Sequence, residues 1–324
     1  MAVCRASEPK PFTWESIEIG EEMGPVDGII SDLQIKAYAY AVDDYGSWYL
    51  RESPFGGRIG HPLLLTNDIL RLFLLIYDVR PDYPAGLHAR SEVELLRPVS
   101  LGQHVTVRGR HVDKFQKRGQ DYRITEGEAV DDANRPLIRM RAWETVGLQA
   151  SSVVGQGRSS PRADAITGVM PAGAELVTRA DRHTPLGAGL PSLQKQTSLE
   201  QSIAFSGFPF GWAEGGAKAM RPGIHTDPEN ARRRGQSDAI IQGMMTVAYL
   251  SELCTGFFGP AWLTTGRLSA SFIKPVIVRD EVVVSGMVKR LEEQENVTRM
   301  YLDVWMRNQR GELVAVGHAS ALVE

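Results

Sequence analysis

Residues Glu94–Val112 read ELLRPVSLGQHVTVRGRHV, and residues Ser271–Leu291 read SFIKPVIVRDEVVVSGMVKRL. The two segments align without a gap at a separation of 177 residues, the distance from Pro98 to Pro275 (275 − 98). Further pairs at the same separation are Arg97 with Lys274, Val99 with Val276, Val105 with Val282, Val107 with Val284 and Gly109 with Gly286. After each proline, apolar and polar residues alternate as in a half-buried β-strand. The chain therefore contains an internal repeat, and each copy is expected to form the same strand.

Apolar helix candidates lie upstream of both copies. Pro62–Asp78 and Gly243–Gly259 are apolar on most faces and are expected to be buried helices. Strand candidates follow each copy at Asp121–Ile124 and Met300–Val304, and then, after the turns DDANRP and NQRGE, at LIRMRAWETV and LVAVGHASALV. This pattern predicts an α+β fold, the double hot-dog. In it, two central helices are each wrapped by a curved antiparallel β-sheet, and the halves form a pseudo-dimer.

The two copies are separated by a segment of different composition. Ser151–Gly189 is rich in Ser, Gly, Ala and Arg and poor in large apolar residues, which is typical of a linker. We therefore predict an N-terminal hot-dog domain over residues 1–150, a linker over residues 151–189 and a C-terminal hot-dog domain over residues 190–324.

The bulk composition excludes several classes of protein. A chain of 324 residues with 43% hydrophobic and 23% charged residues is long enough for two globular domains. Its net charge of -3 gives no basic surface for nucleic acid or membranes, and the sequence lacks a run of transmembrane length. The N-terminal MAVCRASEPKPF lacks the apolar core of a signal peptide, and two cysteines, Cys4 and Cys254, do not form a disulfide framework. A cytoplasmic location is expected, with no cofactor and no metal-spaced His/Cys cluster.

The segment GIHTDPENARRRGQSDAIIQGMM, in the C-terminal half, carries a family resemblance. It contains Ile224-His225, a helix candidate over Asp227–Arg234, and Gln242-Gly243-Met244 at the start of the apolar helix. These pieces resemble the MaoC-like hydratases and dehydratases, as does the following LSASFIKPVIVRDEV. In the N-terminal half the resemblance is weaker, through YAYAVDDYGSWY and SPFGGRIGHP. The resemblance implies a lyase that adds or removes water at a 2-enoyl or 3-hydroxyacyl thioester, carried by coenzyme A or acyl carrier protein.

The local chemistry of this segment agrees with that activity. Asp227 is a good N-cap and Pro228 suits the first helical position, so His225 is expected on an anchored loop. A histidine of near-neutral pKa can transfer a proton. The free N–H groups of Gly243 and Met244 at a helix start suit the oxyanion of an enolate, and Gln242 is a candidate substrate contact.

The catalytic pattern of the family is incomplete in both halves. The family places an Asp five residues before the His, but Met220 holds that position, and Phe208 follows the Ser-Gly where the Asp is expected. In the N-terminal half Asp43 and Asp44 are present, but Trp48 and Tyr49 stand where the His belongs. The second proton-transfer group is therefore open among Asp227, Glu214, Tyr49 and Asp44. Phe208, Phe210 and Trp212, in the insertion before His225, are candidates either for an acyl pocket or for a surface flap.

Other functions remain open on the sequence. The same scaffold supports another elimination, addition or cyclisation on a thioester or polyketide-like substrate, or an acyl-binding subunit without catalysis. A thioesterase needs a carboxylate aimed at the thioester, and Glu252, a few turns into the helix, matches that poorly. Cys254, in the same apolar helix, is expected in the core. A homodimer of such chains is a further possibility.

Overall fold

A single antiparallel sheet of ten strands organises the computed structural model, which describes residues 9–78, 86–117, 119–147, 165–207, 223–294 and 297–323. Its strand order is β2-β5-β6-β7-β4-β9-β12-β11-β10-β8. The strands are β2 (Glu22–Ile29), β4 (His88–Leu95), β5 (His104–Lys117), β6 (Gln120–Val130), β7 (Pro136–Thr145), β8 (Leu193–Gln196), β9 (Arg267–Phe272), β10 (Glu281–Gln294), β11 (Val297–Asn308) and β12 (Leu313–Val323). A separate parallel pair joins β1 (Lys10–Pro11) to β3 (Tyr77–Asp78).

The sheet has an internal two-fold relation that follows the sequence repeat. The strands β5, β6 and β7 begin at residues 104, 120 and 136, and β10, β11 and β12 begin 177 residues later, at 281, 297 and 313. The halves meet where β4 pairs with β9, for example Ser91 with Ala270. The alternation of apolar and polar residues places every second side chain of a strand in the core. Val105 and Val107 of β5, and Val282 and Val284 of β10, face the core in this way and are fully buried. The predicted double hot-dog architecture is confirmed.

Seven α-helices lie in the described residues. They are α1 (Asp32–Ala41), α2 (Ser47–Leu50), α3 (Thr66–Arg71), α4 (Leu199–Gly207), α5 (Pro228–Arg233), α6 (Gly243–Phe258) and α7 (Pro260–Thr265). The 16-residue α6 is buried along most of its length and ends at Gly259, as its apolar sequence predicts. The short α5 is capped by Asp227 with Pro228 in its first turn, also as predicted.

The predicted helix over Pro62–Asp78 is wrong in its extent. Only α3 is α-helical; Leu72–Leu75 is a 3₁₀ helix and Tyr77–Asp78 is strand β3. The cause is a non-local pairing, since the backbone N–H of Lys10 donates to the carbonyl of Ile76 at 2.8 Å and β3 pairs with β1. That pairing requires extended backbone after Leu75, so the helix cannot continue.

The described part of the predicted linker, residues 165–189, forms turns and isolated bridges without a regular helix or strand. It lies along the C-terminal half, where the N–H of Ala180 donates to the carbonyl of Phe257. Among the helices that the structure describes, none has the length and apolar character required to cross a membrane.

Candidate active site

The start of α6 presents backbone donors. Gln242 is the N-cap residue but makes no side-chain capping bond, and the first intrahelical contact is from the N–H of Met245 to the carbonyl of Gln242 at 3.0 Å. The N–H groups of Gly243 and Met244 are therefore left without a backbone acceptor in the described chain. Together with the helix dipole they favour an anion at this point.

His225 is held beside this helix start by a specific backbone bond. Its Nδ1 lies 2.8 Å from the carbonyl oxygen of Ile240, three residues before Gly243. Because a carbonyl only accepts, Nδ1 carries the proton and Nε2 has a free lone pair. Burial and, to a smaller extent, the charges of Arg71 and His88 lower the pKa of the half-buried His225 to about 4, although the bond to Ile240 raises it. The imidazole is therefore neutral at pH 7 and able to accept a proton.

A pocket of about 450 Å³ opens in front of these groups, between the two halves of the chain. The C-terminal half contributes His225, Gln242, Gly243 and Met244, all predicted as site residues. The N-terminal half contributes part of α3 and of the following 3₁₀ turn, and the start of β4. These residues are Asn67, Leu70, Arg71, Phe73, Leu74, Gly86, Leu87, His88 and Ala89, with Gln120 and Tyr122 of β6 and Glu144 and Thr145 of β7. The Glu144 carboxylate is paired with Arg123 at 2.8 Å. The pocket thus combines an apolar wall with a small number of polar groups, as ligand sites commonly do.

Two of the predicted substrate-contact residues are fixed by hydrogen bonds. The Gln242 amide donates to the Ser206 hydroxyl at 2.6 Å, which ties the loop before α6 to the end of α4. Met244 is almost fully buried, and its sulfur accepts from the Ser91 hydroxyl at 3.3 Å. Gln242 therefore lines the pocket as an anchored side chain, while Met244 connects α6 to β4.

His88 is a site residue that the sequence analysis missed. A Cβ atom added at Gly243 would lie 3.1 Å from both Cβ and Nδ1 of His88, so this imidazole sits directly over the start of α6. Its Nε2 lies 2.8 Å from the Ser91 hydroxyl and 3.1 Å from the Arg90 carbonyl. Because the carbonyl only accepts and the Ser91 hydroxyl donates to Met244, Nε2 carries the proton and Nδ1 is left as an acceptor. Burial lowers the pKa of His88. His88 comes from β4 of the other half, far in sequence from His225. Its counterpart in the repeat is Thr265, so the repeat does not point to a histidine at this position either.

Asp227 does not reach the pocket. Its carboxylate accepts the N–H of Glu229 at 2.9 Å and caps α5, and Asp227 is not among the residues that line the cavity. The structure therefore places Asp227 in a capping position and brings no support for it as the partner of His225.

Asp44 and Tyr49 form a separate buried cluster in the N-terminal half. The Tyr49 hydroxyl donates to Asp44 at 3.1 Å, and Nε2 of His61 lies 3.5 Å from the same carboxylate oxygen. All three residues are at least 94% buried, and none lines the pocket. This cluster does not supply the missing acid or base next to His225.

The cluster is the counterpart of the His225 site in the two-fold repeat. The N–H of Ile59 donates to the carbonyl of Trp48, and the N–H of Ile240 donates to the carbonyl of Ile224. Ile59 also forms a β-bridge with residue 100, and Ile240 forms one with residue 277; residues 100 and 277 are separated by the repeat distance of 177. Tyr49 therefore occupies the place of His225, as the sequence predicted. Phe208, Trp212, Phe210 and Glu214 lie outside the described residues.

Glu252 and Cys254 have structural environments. Lys195 contacts Glu252 at 2.7 Å, and burial raises the pKa of this carboxyl to about 7. Cys254 is fully buried, and burial raises the pKa of its thiol. Neither residue lines the pocket, which agrees with the predicted core position of Cys254. The described residues contain no group of three or more His, Cys, Asp or Glu side chains placed to hold a metal ion.

Comparisons with known proteins bear on the family and the fold. Residues 222–304 match the family model of the MaoC like domain. Similar solved structures include a MaoC-like dehydratase (TM-score 0.72, 18% identity, 96% of this chain and 100% of that one). A conserved hypothetical protein from Mycobacterium tuberculosis with a double hotdog fold is also similar (TM-score 0.61, 13% identity, 97% and 98%). So is the peroxisomal multifunctional enzyme type 2 from Drosophila melanogaster (TM-score 0.57, 16% identity, 94% and 48%).

At these identities the structural matches bear on the fold, and no curated protein matches the sequence. The family model covers His225, the Gln242-Gly243-Met244 segment and the strands through β11 up to Val304. Residues 222–304 therefore match the MaoC like domain, within a chain of double hot-dog fold.

Proposed function

We propose that this protein is a hydratase or dehydratase of an acyl thioester, with His225 as the acid–base group and the start of α6 as the oxyanion site. The observation that supports this most directly is the placement of a neutral imidazole and two unsatisfied backbone N–H groups in one pocket. The match of residues 222–304 to the MaoC like domain, and the similarity to a solved MaoC-like dehydratase, agree with it.

In the hydration direction, Nε2 of His225 removes a proton from water as the oxygen attacks the β-carbon of the enoyl thioester. The electron pair of the double bond moves to the thioester oxygen, which becomes an enolate bound by the N–H groups of Gly243 and Met244. The imidazolium of His225 then returns its proton to the α-carbon, so that the elements of water have been added. Nδ1 of His88 is a second acceptor in the pocket and orients the attacking water.

This scheme does not require an Asp five residues before His225. In the family pattern that carboxylate supplies a second polar group at the site; here the described pocket supplies an imidazole from β4 instead. The bond from His225 to Ile240 already determines which nitrogen of the catalytic imidazole is free. A thioesterase receives less support, because Glu252 is paired with Lys195 and lies outside the pocket.

The test is turnover of crotonyl-CoA, followed by the loss of its enoyl-thioester absorbance, with free thiol measured in the same sample. We expect hydration without thiol release. The His225→Ala variant should lose a factor of about 10² to 10⁴ in rate, as for removal of a general acid–base group. Its stability should fall by about 1 kcal/mol, since one hydrogen bond to a half-buried ring is lost.

His183→Ala is the matched control, because His183 is exposed and lies outside the pocket. It should turn over crotonyl-CoA at the parent rate. A folded His225→Ala variant with the turnover of the parent would remove His225 from the mechanism. Thiol release that depends on His225 would identify a thioesterase instead.

A further inference from the structure

Arg71 places a positive charge inside the pocket, and Asp68 on the same helix is an opposite charge that acts on it. Arg71 is the last residue of α3 and lines the cavity beside Leu70. Its Nη1 is inaccessible to solvent and has no hydrogen-bond partner in the described chain. Burial lowers the pKa of Arg71 to about 10, so the guanidinium is still charged at pH 7. The charge of Arg71 lowers the pKa of His225, so Arg71 lies near the reacting end of the pocket.

The repeat provides an internal comparison for this residue. Ile59 and Ile240 are equivalent, and twelve residues after each of them come Arg71 and Glu252. Both are charged groups on the central helix of their own half. Glu252 has a counter-ion within the fold, because Lys195 on β8 lies 2.7 Å away.

The residue equivalent to Lys195 is Gly28. Lys195 pairs with Val282 across β8 and β10, and Gly28 pairs with Val105 across β2 and β5, where 105 and 282 are the same repeat position. A glycine has no side chain to neutralise a neighbour. The half that contains Arg71 therefore has no counterpart of Lys195 on this strand, and Arg71 lines an open pocket.

A partly buried guanidinium with an N–H group that lacks an acceptor is stabilised by a ligand that supplies one. Carboxylates fit this group well, since they accept two parallel N–H bonds from the planar fork. The apolar side chains of Leu70, Phe73 and Leu74 line the same wall and suit a short hydrocarbon spacer. The phosphates of coenzyme A are a poorer match, because Arg71 lies close to His225, where the acyl group reacts, whereas the nucleotide is at the far end of the carrier.

We propose that Arg71 binds a second carboxylate on the acyl group, so that the preferred substrate is the thioester of a dicarboxylic acid. This proposal rests on the acyl-thioester function proposed above and specifies its substrate class. It makes Arg71 a specificity-determining residue, with the thioester oxygen at Gly243 and the distal carboxylate at α3.

The experiment compares two matched pairs of thioesters. Glutaryl-CoA and butyryl-CoA are saturated and differ at the acyl terminus by a carboxymethyl in place of a methyl group; glutaconyl-CoA and crotonyl-CoA are the corresponding 2-enoyl thioesters. Calorimetric dissociation constants for the first pair require no turnover, and kcat/KM is measured for the second. We expect the parent protein to favour the carboxylated member of each pair by at least about tenfold.

The Arg71→Met variant should lose this preference in both pairs, and Arg71→Lys should retain part of it. Lys274→Met is the control, because Lys274 also lines the pocket but is half-exposed and paired with Glu312 at 2.6 Å. It should keep the preference of the parent, which separates a specific Arg71 contact from a general effect of positive charge. Melting temperatures of all three variants check that they are folded.

The outcomes separate the two proposals. Hydration of crotonyl-CoA without any preference for the carboxylated thioesters would overturn the role of Arg71 and leave the hydratase function in place. Arg71-dependent binding of glutaryl-CoA, with no hydration of either enoyl thioester, would overturn the hydratase function and leave the role of Arg71 in place. A preference that Arg71→Met and Lys274→Met reduce equally would also overturn the assignment to Arg71.

Discussion

Substitution of Gly243 by alanine tests the oxyanion site through its packing. A Cβ atom at Gly243 would lie 3.1 Å from three atoms, namely Cβ and Nδ1 of His88 and Cζ of Phe272. Ordinary contacts of a Cβ atom lie between 3.4 and 4 Å, so each neighbour must move by a few tenths of an ångström. Cβ of His88 is attached directly to strand β4 and cannot move without the backbone.

The expected effects on stability and activity are different in size. Overpacking costs about 1 to 3 kcal/mol, and replacing glycine by alanine in a helix returns up to about 1 kcal/mol. Gly243→Ala should therefore lower the free energy of unfolding by about 1 kcal/mol, a shift of about 2 °C in a chain of this size. Because the methyl group occupies the space in front of the oxyanion donors, turnover should fall by a factor of about 10² to 10³.

Gly256→Ala is a control on the same helix. Gly256 is exposed, and a Cβ atom there meets nothing within 4 Å. This variant should be as stable as the parent or up to about 1 kcal/mol more stable, with unchanged turnover of crotonyl-CoA. Thermal melting and turnover are measured on the same preparations. Parent-level turnover by a folded Gly243→Ala variant would refute the placement of the thioester at the start of α6.

Two further predictions concern buried groups outside the pocket. Burial, and then the charge of Arg123, lowers the pKa of the fully buried His111 to about 3, so the unfolded chain binds its proton first. The free energy of unfolding is therefore unaffected by His111 above pH 6.5 and falls by about 2 kcal/mol by pH 5, as the unfolded chain takes up the proton. The free energy of unfolding of His111→Gln, measured in urea, should depend less on pH than that of the parent. An equal pH dependence in the two proteins would contradict this. Cys254 should resist a thiol reagent in the folded protein and react after unfolding, measured in a Cys4→Ser background to remove the other cysteine; rapid reaction of the folded protein would show that the thiol is accessible.

The features that local sequence predicts well are those with local causes. The alternation after Pro98 and Pro275 predicted strands whose starts differ by the repeat distance, because burial on one face of a sheet imposes a period of two. The cap at Asp227 and the continuous apolar surface of α6 were also predicted, since both depend on residues a few positions apart.

The features that were missed depend on contacts between distant segments. The helix after Pro62 is interrupted because Lys10, far away in sequence, pairs with the chain at Ile76. His88 enters the pocket because β4 pairs with β9 and so brings its first residue over Gly243. Both contacts are set by sheet pairing across more than 60 residues, which no periodicity in the segment itself reveals.

The two equivalent sites of the halves differ in how their polar groups are paired. In the N-terminal cluster, Asp44 and Tyr49 satisfy each other, and the charge on the facing helix is neutralised by Lys195. The charged groups there are paired with partners from the chain, so an ionic ligand has little to gain by entering. Around His225 more polar groups are unsatisfied, since one nitrogen of the imidazole, two backbone N–H groups and Nη1 of Arg71 have no described hydrogen-bond partner. The dicarboxylic thioester proposed above supplies a thioester oxygen and a distal carboxylate, and with the attacking water it would satisfy all of them together.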